Sequence, residues 1–467
     1  MGEGRAVVIL HGNDTIAAIA TPAGRGALGI VRLSGPEACA IAGGVFRGRD
    51  GEPSSFATHT VHLGRAMSDG EFLDTVLLTV MRAPRSYTGE DTVELSCHGG
   101  PIVLRRVLEA VVAAGARPAG PGEFTRRAFL NGKLDLAQAE AVQELIAAES
   151  ELGARVAAEQ LRGRLTREVE ALRDGLVEVL TELEAAIDFL DEGIEPADRA
   201  ALVSRLGALR ERAAAFLGTF EEGRRVREGV RVVIAGKPNV GKSSLLNALL
   251  DEERAIVTAE PGTTRDVVRE SLVCQGVVLT VADTAGIREP RGAAEAEGVR
   301  RSRETMREAD VVLLVLDGAA AIDEADFEIA GRAGERPFIT VVNKMDLAQH
   351  ADFGVLDARL VGRTVVHTSA LERTGLDALK AAIGEAAWPS GVPLTDAAIV
   401  TQVRHRDALA RAQAAMGETL AVLEVDRGLE LAAVDAREAL DALGEIVGAV
   451  TTDDILDRIF SKFCIGK

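Results

Sequence analysis

Cysteine is scarce and scattered: the 467 residues hold four, at positions 39, 97, 274 and 464, and none forms a C-x-x-C pair. That spacing excludes a disulfide scaffold, a zinc knuckle and a thioredoxin-type motif, and it points to a reducing compartment. Positive charge is also in short supply. Lys and Arg total 53 against 72 Asp and Glu, a formal net charge of −19. A surface of that sign repels polyanions, so a generic basic coat for nucleic acid is excluded and any RNA contact must be local. Long hydrophobic runs are missing as well. Stretches such as Val311 to Leu316 fall far below the ~20 residues of a membrane span, so no transmembrane helix is expected. The first residues, M-G-E-G-R-A-V-V-I-L-H-G, lack a long apolar region with a small-residue cleavage site, and a cytoplasmic location is expected. His59 and His62 stand three apart with no cysteine near them, which favours ordinary strand residues over a metal site.

What is present is enough for several cores: 47% hydrophobic and 27% charged residues describe a chain that folds. At roughly 100 to 200 residues per domain, the length corresponds to about three. From Asp14 to about Pro121, short β-rich runs such as Thr75 to Val80 are broken by glycine and proline, the pattern of an α+β domain. From Leu136 to about Phe220, apolar residues recur every three or four positions, as in Leu172, Leu176, Val179, Leu180 and Leu183, which predicts long amphipathic helices. Strand-like and helical runs then alternate from Val230 to Trp388, predicting a parallel sheet wrapped by helices. Helical periodicity returns from about Ala397 to Phe460. The α/β unit is therefore expected to be inserted into a helical domain built from both flanks, since each flank alone leaves an apolar stripe uncovered; two separate bundles are the alternative.

The string G-K-P-N-V-G-K-S, Gly236 to Ser243, follows the run Val230 to Ala235 and precedes a helical segment. In that context, backbone N–H groups at a helix N-terminus point at phosphate oxygens, with Asn239, Val240, Gly241, Lys242, Ser243 and Ser244 as the cradle. Lys242 neutralises β and γ charge, and Ser243 is the candidate magnesium ligand. The D-T-A-G string of Asp283, Thr284, Ala285 and Gly286 follows V-V-L-T-V-A, placing an acid near the metal and an amide near the γ-phosphate. Asn343, Lys344, Met345 and Asp346 end the run F-I-T-V-V. A carboxylate there accepts from the N1–H and 2-amino group of guanine, a donor pair that adenine lacks, so Asp346 selects GTP over ATP. Ser369, Ala370 and Leu371 fit the loop that closes on the base. With four motifs in this order the chain resembles translation-factor-type GTPases as a class, and GTP hydrolysis is the leading reading.

Ile287 stands where Ras-like proteins carry a water-orienting glutamine, so water must be positioned another way. Asn239 and the stretch Thr258 to Asp266 are able to supply oxygens to a monovalent cation that replaces an arginine's charge; for Asn239, simple turn chemistry is an equal reading. Thr264 is the natural second magnesium ligand. Glu289, Glu295 and Glu297 are the acids beyond D-T-A-G, and spacing alone does not choose among them.

The strings A-T-P-A-G-R-G-A-L-G-I-V-R-L-S-G, S-Y-T-G-E-D, H-G-G-P, P-G-E-F-T-R-R-A-F-L-N-G-K-L-D-L-A-Q-A-E-A and the terminal F-C-I-G-K are far more specific. Through them the chain resembles the MnmE (TrmE) family of tRNA-modifying GTPases over nearly its whole length. The resemblance implies a multidomain protein: an α+β folate-binding and dimerisation domain over 12–130, a helical domain over 131–228 and 390–467 ending in the C-I-G-K tail, and an inserted α/β Ras-like P-loop G domain over 229–389. It implies binding of 5-formyltetrahydrofolate or a related one-carbon folate at Arg32, Glu90, Lys133 and Lys467. It implies potassium held at Asn239, Thr258, Glu260 and Thr263 within the first-switch run that continues through Ala259, Pro261 and Gly262, with G-domain dimerisation and hydrolysis promoted thereby. The family's catalytic glutamate matches Glu295, with Glu297 as runner-up, because R-G-A-A-E-A-E-G departs from the commoner pattern. Cys464 reads as a small apolar anchor docking the tail, in preference to a covalent catalyst.

The implied partners are a second copy of the chain, tRNA, and the FAD-dependent protein MnmG in a heterotetrameric complex. The implied reaction adds an aminomethyl-type substituent, such as carboxymethylaminomethyl, to C5 of the wobble uridine. Arg105, Arg106, Arg126 and Arg127 are the local basic groups to which the tRNA contact is assigned. Two rival readings are a ribosome-assembly GTPase switch and a folate-dependent aminomethyltransferase with a vestigial G domain. The first has no use for the N-terminal strings, and the second would be expected to lose Lys242, Asp283 or Asp346.

Overall fold

Period-two alternation of apolar residues builds the first sheet. β1 (Ile16–Ile19), β2 (Leu28–Ser34), β3 (Phe46–Gly48), β4 (Thr60–Ser68), β5 (Glu71–Met81), β6 (Thr92–His98) and β7 (Arg117–Pro118) run in the order β3-β4-β5-β6-β2-β1-β7. Every pairing is antiparallel except β1 with β7. The computed structural model describes residues 14–188, 199–252, 269–274, 277–283, 309–332, 336–351, 364–388, 398–425 and 428–467. One face of the sheet buries Val31, Leu33, Val76, Leu78, Val80, Val93 and Leu95 in a core shared with Ile41 of α1 (Ala38–Val45) and Leu104 and Val107 of α2 (Pro101–Ala113). On the other face, Val61 and Leu63 of β4 and Leu77 of β5 are 59, 63 and 45% exposed, and Leu63 pairs directly with Leu77.

Long helices follow: α3 (Glu123–Leu130), α4 (Leu136–Ala147), α5 (Glu151–Leu161), α6 (Arg164–Asp188), α7 (Arg199–Gly218) and α8 (Phe220–Glu228). In α6, Leu172, Leu176, Val179 and Leu183 form the buried stripe that their spacing predicts. A second sheet then begins. β8 (Val230–Ala235), β9 (Arg269–Cys274), β10 (Val277–Asp283), β11 (Val311–Asp317), β12 (Phe338–Asn343) and β13 (Thr364–His367) run in the order β13-β12-β11-β8-β10-β9. It is parallel apart from the edge pair β9 and β10. Its strands are near-continuous apolar runs, as expected where helices cover both faces, and α9 (Lys242–Glu252), α10 (Glu324–Arg332) and α11 (Leu376–Ala387) are its helices among the described residues.

The chain returns through α12 (Val403–Val425), α13 (Leu429–Val447) and α14 (Asp453–Phe460). The two helical flanks pack on each other. Gln160 of α5 donates to Ile399 O and Thr401, and Arg227 of α8 donates to Gln402. Gly223 of α8 lies so close to the returning strand of chain that an added Cβ would fall 2.1 Å from Val400 O.

By contacts the chain divides into two units, one ending at Gln143 and completed by Gly444–Lys467, the other Glu144–Leu443. Within that division residues 131–143 and 444–467 pack with the N-terminal sheet. The tail shows why. Phe463 is buried, Pro121 and Ile465 form a β-bridge, and Gly466, at φ +100°, brings its backbone within the reach of Ile19 O that only a residue without Cβ allows.

Two helix glycines make a matched test. Gly207 in α7 faces open space, so Gly207→Ala is expected to raise the melting temperature, by about 0.5–1 kcal/mol of helix propensity. Gly223→Ala has the same propensity gain but meets the Val400 carbonyl, and is expected to lower stability by about 1–3 kcal/mol. Thermal unfolding of the two variants checks both signs.

Candidate functional site

In the second unit, the chain leaves β8 and turns through G-K-P-N-V-G with Gly236, Asn239 and Gly241 at φ +151°, +68° and +96°. These left-handed and glycine-only conformations curl the backbone ahead of α9, whose first residues are Lys242 and Ser243. Lys242 is 8% exposed, and its Nζ donates to Gly236 O at 2.9 Å and Lys237 O at 2.7 Å, folding the ammonium over the loop. Lys237 is anchored outside the loop by Asp323 and Asp326, at 2.9 and 2.8 Å. Burial opposes the charge on Lys237, but the two carboxylates outweigh it and raise its pKa.

Asn343 joins three segments. Its Nδ2 donates to Val240 O at 3.0 Å, and its Oδ1 accepts from Ala370 N at 3.1 Å and Thr368 Oγ1 at 3.3 Å. Gly241 is a glycine for the same reason, since a Cβ there would lie 2.3 Å from Asn343 Nδ2. Lys344, at φ +63°, reaches Asp317 at the end of β11, 2.6 Å away. Asp346 accepts from Ser369 Oγ at 2.5 Å, which fixes one carboxylate oxygen and leaves the residue exposed at the loop carrying Ala370 and the exposed Leu371. Met345 packs against the apolar cluster around Leu314 and Val342. Thus the phosphate-loop residues Asn239 to Ser244, the Asn343–Asp346 strand end and the Ser369–Leu371 loop come together at the C-terminal edge of one parallel sheet, where α/β folds bind ligands. Asp283 ends β10, its backbone in register with Ile234. The remaining nucleotide-site candidates, Thr258, Ala259, Glu260, Pro261, Gly262, Thr263, Thr264, Thr284, Ala285, Gly286 and Glu295 with its rival Glu297, lie outside the described residues.

In the first unit, Arg32 donates through Nε to Glu94 at 2.7 Å and through Nη1 to Gly466 O at 3.4 Å, with its guanidinium 5.8 and 5.7 Å from the Tyr87 and Phe124 ring centroids. The docked tail sets Lys467 beside it. Burial, then the like charge of Arg32, lower the Lys467 pKa, and Glu94 works in the opposite direction. Glu90 accepts from Ser34 Oγ at 2.7 Å and from Arg127 Nη1 at 3.2 Å. Arg127 is held in turn by Asp14 and Glu123. Burial opposes the Glu123 carboxylate, but Arg117, the Gly120 amide and Arg127 outweigh it and keep its pKa low. Lys133 donates to Pro84 O at 3.1 Å and lies against Gly89, next to Glu90. Arg32 with Lys467 beside it, and Glu90 with Lys133 near Gly89, thus supply a carboxylate and cationic side chains, groups whose chemistry fits a ligand with an amide-like edge and a carboxylate tail.

Sequence reasoning did not find Glu94, Arg127, Tyr87, Asp317 or Thr368 as supports. Each lies far along the chain from the candidate it holds, 25 residues for Thr368 and Asn343 and 62 for Glu94 and Arg32, so no local pattern signalled it. It also misassigned two arginines and a cysteine. Arg127 is 6% exposed and committed to carboxylates, and Arg126 pairs with Asp457 at 2.5 Å and Asp453 at 3.6 Å, so neither is a free basic group for RNA. Arg105 and Arg106 are solvent-exposed, the first 3.7 Å from Glu109 and the second 2.6 Å from Glu71. Cys464 is exposed, and the anchors of the tail are its neighbours Phe463 and Gly466.

Comparison with known proteins agrees with both halves. The family described as "GTP-binding protein TrmE N-terminus" matches residues 15–133, and "MnmE helical domain" matches residues 136–464. A tRNA modification GTPase MnmE of Geobacter metallireducens is 45% identical over 97% of this chain and 99% of its own length. Those of Syntrophotalea carbinolica and Bacillus velezensis are 46% and 42% identical, each over 97% of this chain and 99% and 100% of their own. On sequence, fold and motifs together, the chain belongs to the MnmE (TrmE) family of tRNA modification GTPases.

Proposed function

We propose that this GTPase uses hydrolysis in its second unit to drive a tRNA wobble-uridine modification supported by a folate-type site in its first. The single observation that carries the reading is the Asn343 tie, which unites the phosphate loop with the base loop. In this mechanism Lys242 exchanges its two loop carbonyls for β and γ oxygens, the amides of Asn239 to Ser244 receive the phosphates, and Asp346 accepts from guanine. Ser243 and Thr264 would hold magnesium, with Asp283 nearby. Asn239, Thr258, Glu260 and Thr263 would hold potassium. Bound there, these cations supply neutralisation of the charge that develops on the transferred phosphoryl group. Glu295 orients the attacking water as general base, with Glu297 as the alternative.

Arg32, Glu90, Lys133 and Lys467 would hold a 5-formyltetrahydrofolate-type ligand, which supplies a one-carbon unit when bound. Glu90, fixed by Ser34 and Arg127, takes the amide-like edge, and the cations take the carboxylates. The apolar face of Val61, Leu63 and Leu77 supports a homodimer through the first sheet, and of the four arginines the exposed Arg105 remains as a basic group for tRNA, Arg106 being paired with Glu71. The flavoprotein MnmG would complete the reaction, with a carboxymethylaminomethyl-type product, in the cytoplasm. Among the described residues no helix is long and apolar enough to cross a membrane.

GTP turnover is expected to be faster in KCl than in NaCl, and equal rates reject the potassium assignment. Glu295→Ala is expected to lower kcat about 100-fold with nucleotide affinity retained; full activity transfers the role to Glu297. Mass spectrometry of tRNA nucleosides from a deletion strain tests the pathway, with loss of the modified wobble uridine expected and unchanged uridines contradicting it.

A further inference from the structure

The H-G-G-P string has no role in either site. Its histidine ends β6, where Glu94, Ser96 and His98 alternate with the buried Val93, Leu95 and Cys97. By alternation His98 shares the parity of Glu94, four residues or about 14 Å along the strand, and at the strand end its ring turns to β5. Its side chain is 74% exposed, yet it is not free to turn. Nδ1 lies 2.7 Å from Oδ1 of Asp74, a β5 residue that is 7% exposed.

Asp74 does not need that imidazole. Its Oδ1 already accepts from Thr75 N at 2.8 Å and its Oδ2 from His98 N at 2.8 Å, so any residue at position 98 would give each oxygen a donor. Ordering an exposed ring costs rotamer freedom, and because a carboxylate only accepts, the contact calls for the proton on Nδ1 and leaves Nε2 for another partner. The backbone on both sides is rigid. Gly26 N donates to Gly99 O at 3.0 Å and Gly99 N to Ala27 O at 3.2 Å, and a Cβ on Gly99 would lie 2.5 Å from Gly26 O. Two of the family-specific strings are thus zipped together around this histidine. Glu71 of β5 is taken up by Arg106 of α2, Arg105 lies near Glu109, and Arg25 stands in the exposed loop, which leaves Asp74 as the carboxylate bonded to the ring.

An orienting carboxylate behind a fixed imidazole is the arrangement of a base that accepts a proton and is stabilised as it becomes a cation. An imidazole backed by a buried carboxylate complements a cationic N–H donor. We propose that His98, positioned by Asp74, is a catalytic general base whose substrate is a small primary amine in its ammonium form. One ammonium N–H bond breaks, its proton passes to Nε2, and the electron pair stays on nitrogen as the free amine. The imidazolium then returns the proton to water. This inference rests on the modification reaction proposed above, in which such an amine adds to a one-carbon unit.

The test is His98→Asn in the full-length protein, reconstituted with its flavoprotein partner, tRNA, folate and glycine. Asparagine keeps a donor to Asp74 and removes the base. At neutral pH the modification rate is expected to fall about 100-fold or more, and then to recover as pH rises, because alkali supplies the free amine that His98 otherwise generates. GTP hydrolysis and melting temperature are expected to match the wild type. An undiminished rate, or a loss that stays constant with pH, overturns the proposal. A wild-type reaction that yields no modified uridine overturns the function proposed above, and this inference with it.

Discussion

The second unit depends on one buried amide. Asn343 is 2% exposed and spends both ends of its side chain on backbone or hydroxyl partners from other segments, the phosphate loop on one side and the base loop on the other. A buried amide with an unmet donor or acceptor costs about 1–3 kcal/mol, so each segment holds the others in register. The consequence is that the G-K-P-N-V-G turn and the Ser369–Leu371 loop are held together over the sheet beneath them. Parallel β8, β11 and β12 all deliver their C-terminal ends to that edge.

The first unit uses ionic ties in place of an amide. Glu90 is held by a guanidinium that is itself held by two carboxylates, and Arg32 is held by Glu94 and by the tail. Buried charges of this kind are costly unless every partner is present, so the network specifies one arrangement more than it stabilises the fold. The tail enters that arrangement through Gly466 and Phe463, which makes the last residues of the chain part of the N-terminal cluster despite more than 430 intervening positions, as the Arg32 to Gly466 bond shows with a separation of 434.

Much of this was legible in the sequence where a local pattern had a local cause. The stripe Leu172 to Leu183 gave its helix, the apolar run before G-K-P-N-V-G-K-S gave β8, and the motif order gave a parallel sheet with a nucleotide edge. What was not legible depended on long-range pairing. Nothing in P-G-E-F-T-R-R-A-F says that the first of its paired arginines meets Asp457 or that the second is buried against Glu90, because charge alone looks the same on a solvated helix and in an ion network. Composition likewise could not distinguish an exposed Cys464 from a buried one when Phe463 and Gly466, its neighbours, do the anchoring. The packing of 444–467 with the first sheet was not legible for the same reason: an amphipathic helix does not state which surface covers it.

The central claim is that the edge of the second sheet binds guanine nucleotide through Asp346 and the Asn343-tied loops. Calorimetric titration of the full-length protein with GTP and, separately, with ATP tests it most directly. Saturable GTP binding with an affinity about 100-fold or more above that for ATP is the predicted result. Equal affinities, or no heat with either nucleotide, would contradict it.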